Sequence, residues 1–195
     1  MNNTGKLSKT WWIVIGAVAL ILIYLMFSYN NFVTLNQNIN GKWSEVENQY
    51  QRQADLIPNF VSSVSSQVSV ETKFVKDIVA ARTAYASATT ALAKDAAGQQ
   101  MNSGISAFVS AVAENYPVLQ ASEGYTGLRD ELAGTQNRIT VARGEYIKSI
   151  KSYNVAIMRF PARLVAGMFG FGAKEYYTAE EGSLGTPELG AGVLP

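Results

Sequence analysis

The side chains that carry most protein chemistry are missing from this sequence: it has no Cys and no His. Thiolate nucleophiles, imidazole acid–base catalysis, disulfides and the usual zinc sites are thereby excluded. Carboxylates, Lys, Tyr, Ser and Thr remain, and their spacing decides what they can do. Glu45 and Glu47 are two apart, so on a helix they face different sides and cannot share a metal there. Gly170-Phe171-Gly172 follows no strand and opens no helix, so it is no phosphate loop. Asp55 stands one turn before Pro58, while Arg138 and Arg143 lie far downstream. If the helices carrying them pack together, an Asp55–arginine bridge would fix their register. Asp55, Arg138 and Arg143 are therefore read as helix-pairing polar residues. No residue is assigned to catalysis, a metal or a cofactor, and the expectation is a protein that is not an enzyme.

The elements that hold these residues begin with an apolar run. Trp11 to Phe27 reads WWIVIGAVALILIYLMF, about 17 residues without a charge, or about 19 through Tyr29. That approaches the ~20 residues needed to cross a hydrocarbon core. Trp11, Trp12, Tyr24, Phe27 and Tyr29 supply interfacial aromatics at its two ends. A signal peptide would have a shorter apolar region followed by a small-x-small cleavage site, and none follows here. A single-pass transmembrane anchor is predicted. Lys6 and Lys9 precede it, and the next basic residue after it is Lys42. The positive-inside rule then favours a cytoplasmic N-terminus and a periplasmic or extracellular domain.

After the anchor, apolar residues recur every three or four positions, the period of a helix. Phe32, Leu35, Ile39, Trp43, Val46, Tyr50, Ala54, Ile57, Val61, Val64 and Val68 form one stripe, with a kink or break predicted at Pro58. A second helix is predicted from about Glu71 to Lys94, closed by Gly98, and a third from about Gln99 to Gln120. A fourth starts at Ser122, an N-cap candidate, and closes at Phe160-Pro161. Short connections predict an all-α fold, an antiparallel up-and-down four-helix bundle continuing from the anchor. Its long first and fourth helices would form a coiled-coil stalk near the membrane. At 11% Trp, Tyr and Phe, the chain is too aromatic to be largely disordered.

The fourth helix should end near the bilayer. Arg138, Arg143, Lys148, Lys151, Arg159 and Arg163 are countered only by Glu145 over that stretch. Arg159, Arg163, Leu164, Met168, Phe169 and Phe171 then make a segment too short to span but apolar enough to dock at a membrane interface or against the anchor. The alternative is a satellite core beneath the bundle. The organisation expected is residues 1–10 as a short polar N-terminus, 11–29 as anchor, 30–160 as bundle, 161–177 as amphipathic membrane-proximal segment and 178–195 as flexible tail. A net charge of +1 gives no support for nucleic-acid binding.

Several phrases together resemble the LemA family of bacterial membrane proteins. Tyr29-Asn30-Asn31-Phe32-Val33 is similar to its YNxLV, and Gln53 to Val61, QADLIPNFV, to its RADLIPNLV. Glu131 to Ile139, ELAGTQNRI, matches ELxxTENRI, with Gln136 replacing the usual Glu. Ala142-Arg143 with Tyr146, Tyr153-Asn154, Phe160-Pro161 through Phe171, and Glu175-Tyr176-Tyr177 follow in family order. The resemblance implies a membrane-anchored four-helix bundle in the bacterial inner membrane, with no established reaction. It leaves open the opposite orientation, with the N-terminus outside. By analogy with relatives that act in making organelle membranes, it implies a membrane-organising role. The function expected is a non-enzymatic scaffold that contacts the lipid bilayer and self-assembles as a homo-oligomer. The alternative is an accessory subunit bound to a membrane-protein partner.

Overall fold

A period of three to four residues sustained across the whole N-terminal third produces one very long helix. In the computed structural model, which describes residues 9–65 and 72–175, α1 spans Lys9–Ser65. Its 57 residues give a length of about 86 Å at 1.5 Å per residue. The helices that follow are α2 (Thr72–Ser87), α3 (Ala91–Asn115), α4 (Pro117–Gln120), α5 (Glu123–Met158) and α6 (Ala162–Phe169). The described residues are all-helical, with no strand. The expected tail, Val68 of the stripe, Tyr176-Tyr177 and the residues before Lys9 lie outside the described part.

α1 and α5 run antiparallel along each other. Phe60 meets Tyr125 at 5.7 Å, Arg52 bonds Glu131 at 2.9 Å, and Trp43 packs at a tilt against Tyr146 at 5.3 Å. α2 and α3 form a second antiparallel pair, with Phe74 and Phe108 6.3 Å apart. The pairs meet along the part of α1 beyond Val46, where Tyr50, Ile57, Phe60 and Val64 are buried with Ile78, Met101, Ile105, Phe108 and Val112. Nearer the apolar span, α1 and α5 continue together and are joined by α6.

Three boundaries differ from the periodic reading. α1 passes through Pro58 without ending. Pro58 is solvent-exposed while Ile57 and Phe60 beside it are buried, so packing on both sides holds the helix across the lost hydrogen bond. The second helix stops at Ser87 rather than Lys94, and α3 begins at Ala91. The Thr90 side chain caps α3 by accepting a bond from the Ala93 N–H at 3.2 Å. Gly98 lies inside α3 and does not close a helix. A Cβ there would sit 2.4 Å from the buried Tyr50 ring, so glycine permits this close approach. Asn115 ends α3 just before Pro117, which opens α4. Ser122 occupies the N-cap position of α5, although its hydroxyl makes no capping bond.

The Gly98 contact is testable. Gly98→Ala should lower stability by about 1–3 kcal/mol through overpacking, despite the better helix former. Gly144→Ala, whose Cβ meets nothing within 4 Å, should instead raise it by up to about 1 kcal/mol. Denaturant melts of the full chain in detergent read both.

Candidate functional site

The most polar part of the core is built around a residue that periodicity passes over. Asp95, one turn into α3, has a side chain only 3% exposed. An isolated carboxylate there would be costly, and three elements supply its partners. Arg143 of α5 reaches it through Nε at 2.9 Å and through a second guanidinium nitrogen at 3.0 Å. The Tyr50 hydroxyl of α1 donates at 3.0 Å, and Gln99 donates at 2.9 Å. Nearby, Lys94 pairs with Glu47, and the Tyr85 hydroxyl donates to the Glu47 carbonyl. One turn further along, Gln53 bonds Asn102, and Gln136 reaches Asn102 and Ser106. The two helix pairs are thus joined by a ladder of polar contacts between aromatic layers.

Burial raises the tyrosine pKa values here. The Tyr50 phenol is pushed well above its ordinary value by burial and then by the Asp95 charge. Tyr85 is pushed up to about 12 by burial and by Glu47. Burial raises Tyr125 as well.

The structure brings together only one of the three predicted helix-pairing residues with an opposite charge in the core. Arg143 engages Asp95, not Asp55. Asp55 faces solvent and accepts a bond from Gln51 of its own helix at 3.0 Å. Arg138 is exposed and lines a groove of about 530 Å³ between α1 and α5, with Glu45, Asn48, Asn137, Val141 and Glu145. A second hollow of about 500 Å³ is lined by Phe74, Phe108, Val112, Glu114 and Tyr116. Asp95 borders neither. Among the described residues no three acidic side chains gather where they could hold a metal.

The other concentration of unusual groups is at the opposite end of the α1–α5 pair. No residue in the apolar window of α1 is buried, with Trp11 59%, Leu20 69% and Phe27 66% accessible, and it is long and apolar enough to cross a membrane. Trp12, Tyr24 and Tyr29 are exposed along it. Where it ends, α6 folds back. Val165 and Ala166 are buried, and Phe169 and Phe171 lie edge-on to Tyr29 at 5.1 and 5.6 Å. Phe171 also meets Phe32 at 5.3 Å. Gly170, at φ 74°, ends α6 in the left-handed conformation, and the Phe171 N–H returns to the Ala166 carbonyl at 2.9 Å. The strand of chain beyond is clamped by α5. Tyr153 donates to the Gly172 carbonyl at 3.1 Å, and Asn154 bonds both the N–H and the carbonyl of Lys174 at 2.8 Å. This clamp was not anticipated from sequence, where Tyr153-Asn154 stood only as a phrase of the family resemblance.

With this geometry in place, the sequence profile of the LemA family matches residues 42–189, well over half of the chain. The chain belongs to the LemA family. Within the family it is similar to the magnetosome protein MamQ of Magnetospirillum gryphiswaldense, 28% identical over 93% of this chain and 77% of the relative. It is also similar to magnetosome protein MamQ 1 of Paramagnetospirillum magneticum, 26% identical with the same coverage. In this LemA-family chain each Asp95 carboxylate oxygen is occupied by donors, and Asp95 lines neither of the two hollows described above.

Arg143→Met should therefore cost about 3–5 kcal/mol, because it strands a buried carboxylate. Asp95→Asn combined with Arg143→Met should recover much of that loss in the same denaturant melts. Alkaline pH gives a second check. Below the ordinary tyrosine value of 10 both folded and unfolded chains keep their phenol protons. Above it the unfolded chain releases protons that the folded one retains, so stability falls until pH passes about 12 for Tyr85. Tyr85→Phe should make that decline shallower, as followed by melts across the alkaline range.

Proposed function

We propose that this LemA-family protein is a non-enzymatic, single-pass membrane scaffold that self-assembles and organises protein or lipid at the bilayer. The observation that carries this reading is the unbroken α1. Its apolar window and its packed half are one helix, with no linker between them. Such a joint transmits orientation, which suits a scaffold better than a tethered enzyme. The fully bonded Asp95 carboxylate supports the same reading, since both of its oxygens are already held by donors from Tyr50, Gln99 and Arg143. The magnetosome proteins among its relatives support a membrane setting. In this reading α1, α2, α3 and α5 act as one antiparallel up-and-down four-helix bundle. The short N-terminus lies in the cytoplasm and the bundle outside the inner membrane.

A second reading, an accessory subunit for a membrane-protein partner, is favoured by the α1–α5 groove. There exposed Val141 is flanked by Glu45, Arg138 and Glu145, a mixed surface suited to a partner helix.

Isolation from native membranes in mild detergent, followed by mass measurement and imaging, separates the two. The scaffold reading expects a homo-oligomer of defined size without foreign subunits. A single copy bound to a stoichiometric foreign membrane protein would establish the accessory reading instead. Because the chain lacks Cys, Ser152→Cys with a membrane-impermeant thiol reagent on intact cells reads the side on which the bundle lies.

A further inference from the structure

The outward face of α6 is apolar where a water-facing helix should be polar. Leu164 and Met168, one turn apart, are 62% and 70% exposed, and Phe160 just before the helix is 84% exposed. The inward residues Val165 and Ala166 are already buried on the body, so these outer side chains are surplus to the fold. We propose that α6 is a second membrane contact, lying in the interface of the leaflet on the body's side with Leu164, Met168 and Phe160 inserted and Arg159 and Arg163 at the headgroups. This rests on α1 being a membrane span.

Position commits the occupant. The ring contacts of Phe169 and Phe171 with Tyr29 place α6 at the end of the apolar window, next to exposed Met26 and Phe27. The exposed face of α6 thus continues the apolar belt of α1. Tyr29 stands where interfacial aromatics mark the headgroup level. Charge points the same way. From Tyr146 to Lys174 there is no Asp or Glu; Lys148 pairs with Glu145 just before this stretch at 2.7 Å, which leaves Lys151, Arg159, Arg163 and Lys174 with no acid among them. Such an acid-free basic stretch beside an apolar face matches an anionic leaflet. The clamps from Tyr153 and Asn154, and the turn at Gly170, hold the segment after α6 to the body, so α6 has a fixed seat. Insertion of α6 beside α1 would give the body two footings and set its tilt on the bilayer.

The absence of Cys makes the test direct. Full-length chains carrying Ile21→Cys, Ser152→Cys, Phe160→Cys, Leu164→Cys or Met168→Cys are labelled with an environment-sensitive fluorophore. They are reconstituted in phosphatidylcholine vesicles with and without phosphatidylglycerol, and challenged with lipid-borne nitroxides and with aqueous iodide. Labels at 160, 164 and 168 should be quenched by the lipid nitroxide several-fold more than the label at 152. Arg159→Gln with Arg163→Gln should remove the part of that quenching that depends on phosphatidylglycerol. If the label at 21 is quenched by lipid while those at 160, 164 and 168 behave like 152, the anchor stands and the α6 proposal falls. If neither 21 nor the α6 labels are quenched, the membrane-span reading itself fails. Labels on α6 shielded from iodide yet untouched by lipid nitroxide, with shielding lost on dilution into excess lipid, would mean that a second copy covers α6, and would overturn the proposal.

Discussion

A carboxylate removed from water in the middle of a helical core sets the terms for everything around it. The Asp95 carboxylate is satisfied only where Arg143, Tyr50 and Gln99 all reach it. Those partners come from α5, α1 and α3, so satisfying one side chain aligns three helices along their axes. Apolar stripes alone tolerate sliding by a turn, because one leucine-sized knob resembles another. The Asp95 group does not tolerate it. Gly98 completes the arrangement by letting the Tyr50 ring lie against the α3 backbone, one turn from the charge its hydroxyl serves.

The consequences run to the far end of the molecule. With Arg143 pinned opposite Tyr50, the remaining fifteen or so residues of α5 must run back along α1, at about 1.5 Å each. They end where the apolar window of α1 begins to be free of partners. The chain turns there at Arg159 to Pro161, and α6 is laid across Tyr29 and Phe32. The position of α6 is therefore inherited from helix length and register. Its own sequence decides only which face points outward.

Much of this was legible beforehand and some was not, for reasons that can be named. The apolar window, the stripe of α1 and the full extent of α5 from Ser122 to Phe160-Pro161 announced themselves because burial repeats with the helical period. The α2–α3 boundary did not. Gly98 reads as a helix terminator when its neighbours are unknown, whereas its lack of a Cβ serves a contact with a ring some fifty positions away. The actual break at Ala88 to Thr90 carries an N-cap threonine that a stronger signal overshadowed. At Pro58 the helix does not break, because buried residues on both sides hold it across the lost hydrogen bond. Asp55 was paired with the arginines because it stands one turn before Pro58. Pairing depends on which face a carboxylate occupies, and Asp55 is on the solvent face. Asp95 hides among alanines, where nothing local marks it as the partner of Arg143.

The placement of polar and apolar groups in this chain is inverted at two sites, and the inversions differ in kind. In the core Asp95 is inside but answered by Arg143 and Tyr50 from two other helices, and the Gln53 amide nitrogen by Asn102 of α3. Such groups specify an arrangement and are finished once it forms. At α6 the apolar groups are outside and unanswered by any described residue, beside a helix whose own window is unanswered in the same way. An unanswered apolar face is where a fold meets something that is not itself. The two windows lie at one level because the buried charge far above them leaves α5 no other place to end. In this chain the interior electrostatics therefore decide the height at which the exterior apolar surface is presented.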